Sequence, residues 1–193
     1  NCCLFDVASV LSGGFEMGNV WYNEPKTLDT AFDVMGDIVL STAAQQYGGF
    51  TVPEVDKILA PYAKKSYDKY VQEFLQYSDK SWTGREEKAI EYALDKVRRD
   101  FDQGWQGIEY KLNTVGSSRG DYPFVTVTLG LGTGQFEKMC NISLLEVHKG
   151  GQGRDGHKKP VLFPKIVFLY DENIHGPGQC CEDVFEAGVD CSA

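Results

Sequence analysis

The sequence lacks the features of two large classes of protein. Its formal net charge of -9 disfavours a nucleic-acid binder, because that affinity comes mainly from neutralising phosphates, although local lysine clusters are still able to bind a single nucleotide. No apolar run reaches the roughly 20 residues of a membrane span, and no signal-peptide pattern is present. We therefore predict a cytoplasmic protein that binds neither nucleic acid nor membrane.

Metal-binding spacings are missing as well. The three histidines are widely dispersed, and the six cysteines have none of the paired two-residue spacings of a zinc ribbon. We therefore predict no metal site in this chain. Four of the cysteines are interpreted as reduced, buried thiols of a cytosolic protein: Cys140, Cys180, Cys181 and Cys191.

A phosphate-binding glycine loop is only partly present. Gly130, Gly132 and Gly134 form a GxGxG pattern, which lacks the third glycine of the GxGxxG fingerprint. We interpret these glycines as a turn between a strand and a helix.

The chain has 193 residues, of which 42% are hydrophobic, and this is enough for the core of one domain. It starts at Asn1 without a methionine and stops at Ala193 within an unfinished helix pattern. We therefore expect an excerpt of a larger domain, with further strands beyond Ala193.

Two helix patterns separated by Gly48 and Gly49 dominate the first half of the chain. The first has apolar residues at steps of three and four and a separate row of aspartates. The second is predicted to start at a capping box, Thr51 to Glu54, and to direct three lysines outward. The sequence thus predicts an acidic helix beside a basic one. The residues of the two polar rows are Asp29, Asp33, Asp37, Lys64, Lys65 and Lys69.

Strand patterns alternate with long helix patterns in the rest of the chain, which predicts a parallel α/β architecture. The segment 15–24 is predicted to be irregular. Three strands are predicted, at 1–7, 124–130 and 162–170, and helices are predicted at 8–11, 83–112, 135–148 and from about 179.

Eight short segments stand out by their order and spacing: CCLFD (2–6), GFEMGN (14–19), PK (25–26), QYGG (46–49), LAPY (59–62), YKLNT (110–114), PFVT (123–126) and FPKIV (163–167). Together they resemble the catalytic subunit of the anaerobic, glycyl-radical class of ribonucleotide reductase, the ribonucleoside-triphosphate reductases. The resemblance covers the whole chain.

The resemblance implies a partial ten-stranded α/β barrel with long interface helices, in which residues 1–193 are a single piece of a larger catalytic domain. It also implies radical chemistry on a ribonucleoside triphosphate: a glycyl radical generates a thiyl radical, which takes the 3′ hydrogen, and the 2′ hydroxyl leaves as water. The whole enzyme is expected to need a radical-SAM activase that uses AdoMet and an iron–sulfur cluster, and a structural zinc.

The same resemblance implies roles for particular residues. Cys2 matches the first-strand cysteine that faces the substrate, and Cys3 does not. Strand alternation agrees, since adjacent residues of a strand point to opposite faces. Without the resemblance, Cys2 is interpreted as a small buried apolar residue.

Three residues of a loop are predicted, by their place before a barrel strand, to bind substrate: Ser117, Ser118 and Arg119.

For regulation, the resemblance implies a homodimer and a dNTP or ATP effector bound by the helical region at about 27–77. Lys26 and Lys69 match effector-binding lysines, and Asn23 stands where a glutamate is found in some members. Lys64 and Lys65 are predicted to be an ordinary solvated face.

Motifs for the thiyl-radical cysteine and the glycyl radical are missing from the sequence, so we expect the excerpt alone to be inactive. Two alternatives stay open. One is another glycyl-radical enzyme of the pyruvate formate-lyase type, whose radical cysteines are adjacent, as Cys2 and Cys3 are. The other is a non-catalytic nucleotide-sensing or dimerisation module.

Overall fold

The computed structural model describes residues 3–46, 48–114 and 122–192. In chain order its elements are β1 (Cys3–Leu4), α1 (Val7–Gly13), β2 (Phe15–Met17), β3 (Val20–Tyr22), α2 (Leu28–Ala43), β4 (Phe50–Val52), α3 (Val55–Tyr77), α4 (Arg85–Thr114), β5 (Val125–Leu129), α5 (Gln135–Gly150), β6 (Lys165–Phe168), α6 (Glu172–His175) and α7 (Glu182–Ser192).

The central sheet has four parallel strands in the order β1-β4-β5-β6, which confirms the predicted parallel α/β architecture. A ten-stranded barrel is not formed by the described strands. No helix in the described ranges is long and apolar enough to cross a membrane.

The two faces of the sheet differ in character. Alternate residues of β4 and β5 are buried under the helices, and Phe50, Val52 and Val125 are at most 1% exposed. The residues between them, Thr51 and Thr126, point to the opposite side of the sheet and are only partly buried. We call this second side the open face of the sheet.

The predicted capping box at Thr51 is wrong. Phe50 to Val52 form β4, between β1 and β5, because burial of Phe50 and Val52 and ladder hydrogen bonds on both sides outweigh a helix start. The helix α3 begins only at Val55, after Glu54 in a left-handed conformation with φ 46°. The Glu54 amide donates to Thr128 Oγ1 at 2.7 Å, which fixes this turn to β5.

The segment 15–24 is also more regular than predicted. Phe15–Met17 and Val20–Tyr22 form an antiparallel hairpin, β2–β3. Gly18 makes the turn with φ 64°, and the rings of Phe15 and Tyr22 stack with centroids 4.9 Å apart. The aromatic residues of this segment therefore stabilise each other.

The long helices and the strands β5 and β6 lie where their periodicity predicts them, apart from shifts at their ends. Among the described residues the first strand covers Cys3–Leu4, so it ends before the predicted end at Val7. Helix α4 begins at Arg85, within the predicted capping sequence. Helix α2 packs against both α3 and α4, so the acidic and the basic helix are neighbours.

The contact between α2 and α4 depends on a glycine. The ring of Phe32 packs edge-on against Trp105, with centroids 5.0 Å apart, and lies directly against the backbone of Gly104. A Cβ atom at Gly104 would overlap the Phe32 ring, whereas a Cβ atom at Gly107, one turn further on, would meet no atom within 4 Å.

These two glycines predict opposite effects of the same substitution. Gly104→Ala should lower the free energy of unfolding by roughly 2 kcal/mol, because the Phe32 ring is forced out of its packing. Gly107→Ala should raise it by about 0.5–1 kcal/mol, because alanine favours the helix. Urea unfolding followed by circular dichroism measures both, and equal effects would contradict the packing described.

Candidate functional site

The loop that leads into α2 is held against α3 by two side chains of that helix, Lys65 and Ser66. Lys65 Nζ donates to Glu24 Oε1 at 2.5 Å and lies 3.4 Å from the Pro25 carbonyl oxygen. The amide of Leu28 donates to the buried Ser66 hydroxyl at 2.8 Å. Lys65 therefore holds this loop, and its side chain is still 39% exposed, as expected for the predicted solvated face. Its neighbour Lys64 pairs with Asp68 on the exposed side of the helix.

The three predicted effector-binding residues lie near this fastened loop. Asn23 and Lys26 are exposed residues of the loop itself. Lys69 is exposed on α3, four residues after Lys65, and is therefore about 6 Å further along the same side of the helix. The fold thus brings the loop and the lysine row of α3 to one surface.

The surroundings of Lys69 are aromatic and partly acidic. Its Nζ lies 5.9 Å from the centre of the Tyr70 ring, and Lys96 lies 5.3 Å from the same ring. Tyr70 donates to Asp100 at 2.7 Å, and burial together with this bond raises the pKa of Tyr70. Burial also raises the pKa of Asp100, against the opposing effects of Tyr70, Lys96 and Lys69.

The open face presents a row of side chains across all four strands of the sheet. The register pairs Leu4 with Thr51, Thr51 with Thr126, and Thr126 with Lys165. Leu4 is 76% exposed, and Lys165 is exposed at the far end of the row. The row therefore has a surface that is apolar at β1, hydroxylic in the middle and cationic at β6.

An aromatic pair lies beside this row. Phe124 and Phe163 meet edge to face with centroids 5.3 Å apart, and Lys165 Nζ lies 5.9 Å from the centre of the Phe163 ring. Asn113 fixes the approach to β6: its Oδ1 accepts from the amides of Leu162 and Phe163, at 2.9 and 3.2 Å, and its Nδ2 donates to the Phe163 carbonyl at 2.7 Å.

Sequence reasoning missed the function of Asn113, because its partners lie 49 and 50 residues away. The YKLNT and FPKIV segments, singled out separately in the sequence, meet at this contact.

The predicted catalytic and substrate-binding residues fall outside the described ranges. These residues are Cys2, Ser117, Ser118 and Arg119. The neighbouring Cys3 is described, and it packs against the helix-covered core. Leu4 has the opposite orientation, towards the open face.

The glycine loop between β5 and α5 is a strand-to-helix turn, as predicted, and it binds a carboxylate of the protein itself. The amides of Gly130 and Gly132 donate to Oδ2 of Asp56, at 3.3 and 2.9 Å, and Asn141 Nδ2 donates to the same oxygen at 3.1 Å. Asp56 is fully buried at the start of α3. Both amides therefore already have an acceptor, so they are not available to bind a phosphate.

The cysteines differ in exposure more than the sequence predicts. Cys140 is buried, and burial raises the pKa of its thiol well above the usual value. Cys181 is buried with its pKa raised to about 11, mainly by burial, and Cys191 is half-buried. Cys180 is exposed, so the prediction of a buried thiol is wrong there; its Sγ lies 3.6 Å from that of Cys181. All of these are free cysteines.

Possible metal ligands are scattered. No group of three or more histidine, cysteine, aspartate or glutamate side chains that could hold a metal ion occurs within residues 3–46, 48–114 and 122–192. The buried His175 is used structurally, since its Nε2 donates to the Gly130 carbonyl at 2.9 Å and its Nδ1 accepts from the Asp171 amide at 2.9 Å.

These features define an α/β unit with one covered and one open sheet face, and with a lysine-bearing helix beside its first long loop. The sequence identifies the particular group of proteins: the model of the family "Anaerobic ribonucleoside-triphosphate reductase" matches residues 1–193. The chain belongs to that family.

Curated relatives carry the same description. The anaerobic ribonucleoside-triphosphate reductase of Enterobacteria phage T4 is 38% identical over 91% of this chain, and those of Haemophilus influenzae and Escherichia coli are 32% and 30% identical over 100% of it. The chain spans only 26–27% of the length of these relatives.

The buried Asp56 carboxyl predicts a large effect on stability. Asp56→Ala leaves three N–H donors without their acceptor in the core and should lower the free energy of unfolding by about 3 kcal/mol or more. The matched control is Asp68→Ala on the exposed side of the same helix, with an expected change within about 0.5 kcal/mol. Chemical unfolding of the purified variants gives the comparison; similar midpoints for the two would contradict the role of Asp56.

Proposed function

We propose that this chain is the first part of the catalytic domain of an anaerobic ribonucleotide reductase, which converts ribonucleoside triphosphates to deoxyribonucleotides in the cytoplasm. The observation that carries the proposal is the match of the family model over residues 1–193, with relatives of that name. The excerpt by itself is expected to be inactive. Relatives named as reductases favour this function over a pyruvate formate-lyase type of reaction.

The sheet supports membership of a larger barrel. Residues 1–193 would be a single piece of that ten-stranded domain, with the four parallel strands as part of its wall and the helices α2 to α5 outside it. The open face would then line the interior. Its threonines and Lys165 suit a polar ligand better than an apolar core.

Cys2 is the residue to which we assign chemistry. Cys3 packs on the core side of β1 and Leu4 on the open side. By the resemblance to the family, and by the alternation of side chains along a strand, we expect the thiol of Cys2 to face the substrate. There it would supply hydrogen in the reduction steps that follow the loss of the 2′ hydroxyl. Ser117, Ser118 and Arg119 would help to bind the substrate.

Other parts of the full-length enzyme would complete the reaction. The glycyl radical, installed by a radical-SAM activase with AdoMet and an iron–sulfur cluster, would generate the thiyl radical that takes the 3′ hydrogen, and the reducing equivalents would come from formate or a thiol system. A structural zinc is also expected there. This chain would contribute a wall of the substrate cavity and the thiol of Cys2.

The two adjacent cysteines provide a test of the proposed chemistry. In the activated full-length protein, Cys2→Ala should lower turnover at least about a hundredfold, roughly 2.7 kcal/mol in the barrier, because the thiol that supplies hydrogen in the reduction steps is lost. Cys3→Ala should retain activity, since it removes only a small side chain from the packing. Deoxyribonucleotide formation is measured by chromatography. If Cys2→Ala turns over as fast as the wild-type protein, the assignment is disproved. If the wild-type protein itself is inactive, a nucleotide-sensing module is favoured.

For regulation, we propose that Lys26, Lys69 and Asn23 bind a dNTP or ATP effector beside the helical region at about 27–77, at a homodimer interface. Two exposed ammonium groups suit a triphosphate, since lysine offers a fixed positive charge. The contacts of Lys65 with Glu24 and Pro25 support this arrangement, because they hold the loop of Asn23 and Lys26 against α3.

The lysine row of α3 predicts which substitution affects the effector. In the full-length protein, Lys69→Glu should weaken dNTP binding at least about tenfold, because an attractive charge becomes repulsive. Lys64→Glu is the control, since Lys64 points outward and pairs with Asp68. Isothermal titration calorimetry measures both. Unchanged affinity in Lys69→Glu, with an unchanged melting temperature, would leave α3 with a structural role only.

A further inference from the structure

We propose that Lys165 binds the triphosphate group of the ribonucleotide substrate from the open face of the sheet. The inference rests on the proposed function, and it adds a binding residue that distinguishes triphosphates from shorter phosphate chains.

The position of Lys165 in the sheet is the first argument. Leu4, which follows Cys2 by two residues in the sequence, begins the row of side chains that continues through Thr51 and Thr126 to Lys165. Three interstrand steps separate the ends of this row, which is about 14 Å at a strand spacing of about 4.8 Å. An extended nucleoside triphosphate whose ribose lies at the β1 end has a suitable length to direct its phosphates towards β6.

The charge of Lys165 is the second argument. Six other lysines of the described ranges form ion pairs with carboxylates, and within those ranges no carboxylate pairs with Lys165. The Nζ atom of Lys165 lies 5.9 Å from the centre of the Phe163 ring, and Thr126 is its partner on β5. An ammonium group on the inner wall of a cavity requires a counter-charge, because desolvating an unpaired charge costs several kcal/mol. A triphosphate supplies that charge, and the Thr126 hydroxyl is a further donor on the same row.

The rigidity of this position is the third argument. Asn113 binds the backbone of the two residues that precede Pro164, and β6 pairs with β5 along its whole length. Beyond the strand, the Leu169 amide donates to the Leu129 carbonyl at 2.8 Å. The backbone of Lys165 is therefore held at both ends. A charge that starts from a fixed strand is a better phosphate ligand than one on a mobile loop, because less conformational freedom is lost on binding.

The test compares substrates in the activated full-length protein. For Lys165→Met, which keeps the length and apolar stem of the side chain, KM for the ribonucleoside triphosphate should rise roughly tenfold, while kcat at saturation stays within about twofold of the wild-type value. For the corresponding diphosphate, KM should change much less, so the preference for triphosphate should fall. Lys165→Arg should restore most of the affinity, because it restores the charge.

Two controls separate this role from a structural one. Lys80→Met removes an exposed lysine from the loop between α3 and α4 and should leave both KM values unchanged. Circular dichroism melting of each variant detects a loss of folding. If Lys165→Met does not fold, Lys165→Arg is the second variant with which the role of the charge is tested. An unchanged triphosphate KM in Lys165→Met, or an equal rise for both substrates, would overturn the inference. A wild-type protein without reductase activity would instead overturn the proposed function.

Discussion

The fully buried carboxyl group of Asp56 imposes the constraint on which the centre of this structure depends. A carboxyl group without water needs hydrogen-bond donors, and it obtains three, from Gly130, Gly132 and Asn141. The carbonyls of the same two glycines are used as well: Gly130 accepts from His175, and Gly132 lies 3.8 Å from the thiol of Cys181. Residues of α3, α5 and α6, together with Cys181 just before α7, therefore meet at one loop, at the carboxyl end of β5.

This convergence explains why a glycine-rich turn occurs here without binding a phosphate. A Cβ atom at Gly132 would lie 2.8 Å from Asp56 Oδ2 and would overlap the side chain of Glu137. Only glycine lets the loop approach the carboxylate so closely. The nucleotide-binding surfaces that we propose lie elsewhere, on the open face of the sheet and beside α3.

Local sequence patterns were sufficient to predict the elements whose stability depends on local sequence. The three- and four-residue spacing along α2, α3 and α4 predicts them within a few residues, since each helix buries one continuous stripe. The strand β4 was missed, because Thr51, Pro53 and Glu54 also fit a capping box and only burial of Phe50 and Val52 decides between the two. The hairpin β2–β3 depends on a single turn at Gly18, which the sequence reading did not recognise.

Residues of the candidate sites were predictable only where the local sequence around the residue indicates its role. Exposed lysines at Lys26 and Lys69 follow from the resemblance and the helix pattern, but the contact of Lys65 with Glu24 joins residues 41 positions apart. The same holds for Asn113 and for Asp56, whose partners are 49 to 85 residues away. Such contacts arise from the packing of whole elements, and a pattern within a short window contains no information on them.

The order of strands in the sheet has a consequence for work with this chain in isolation. Within the described strands, β1 pairs only with β4 and β6 only with β5, so each has one row of backbone N–H and C=O groups that no other described strand pairs with. Unpaired edges of this kind promote strand addition between copies. Self-association of the 193-residue chain in solution would therefore have two possible sources, the strand edges and the helices α2 and α3. A dimer detected by light scattering can be assigned to the helices only after the edges have been blocked.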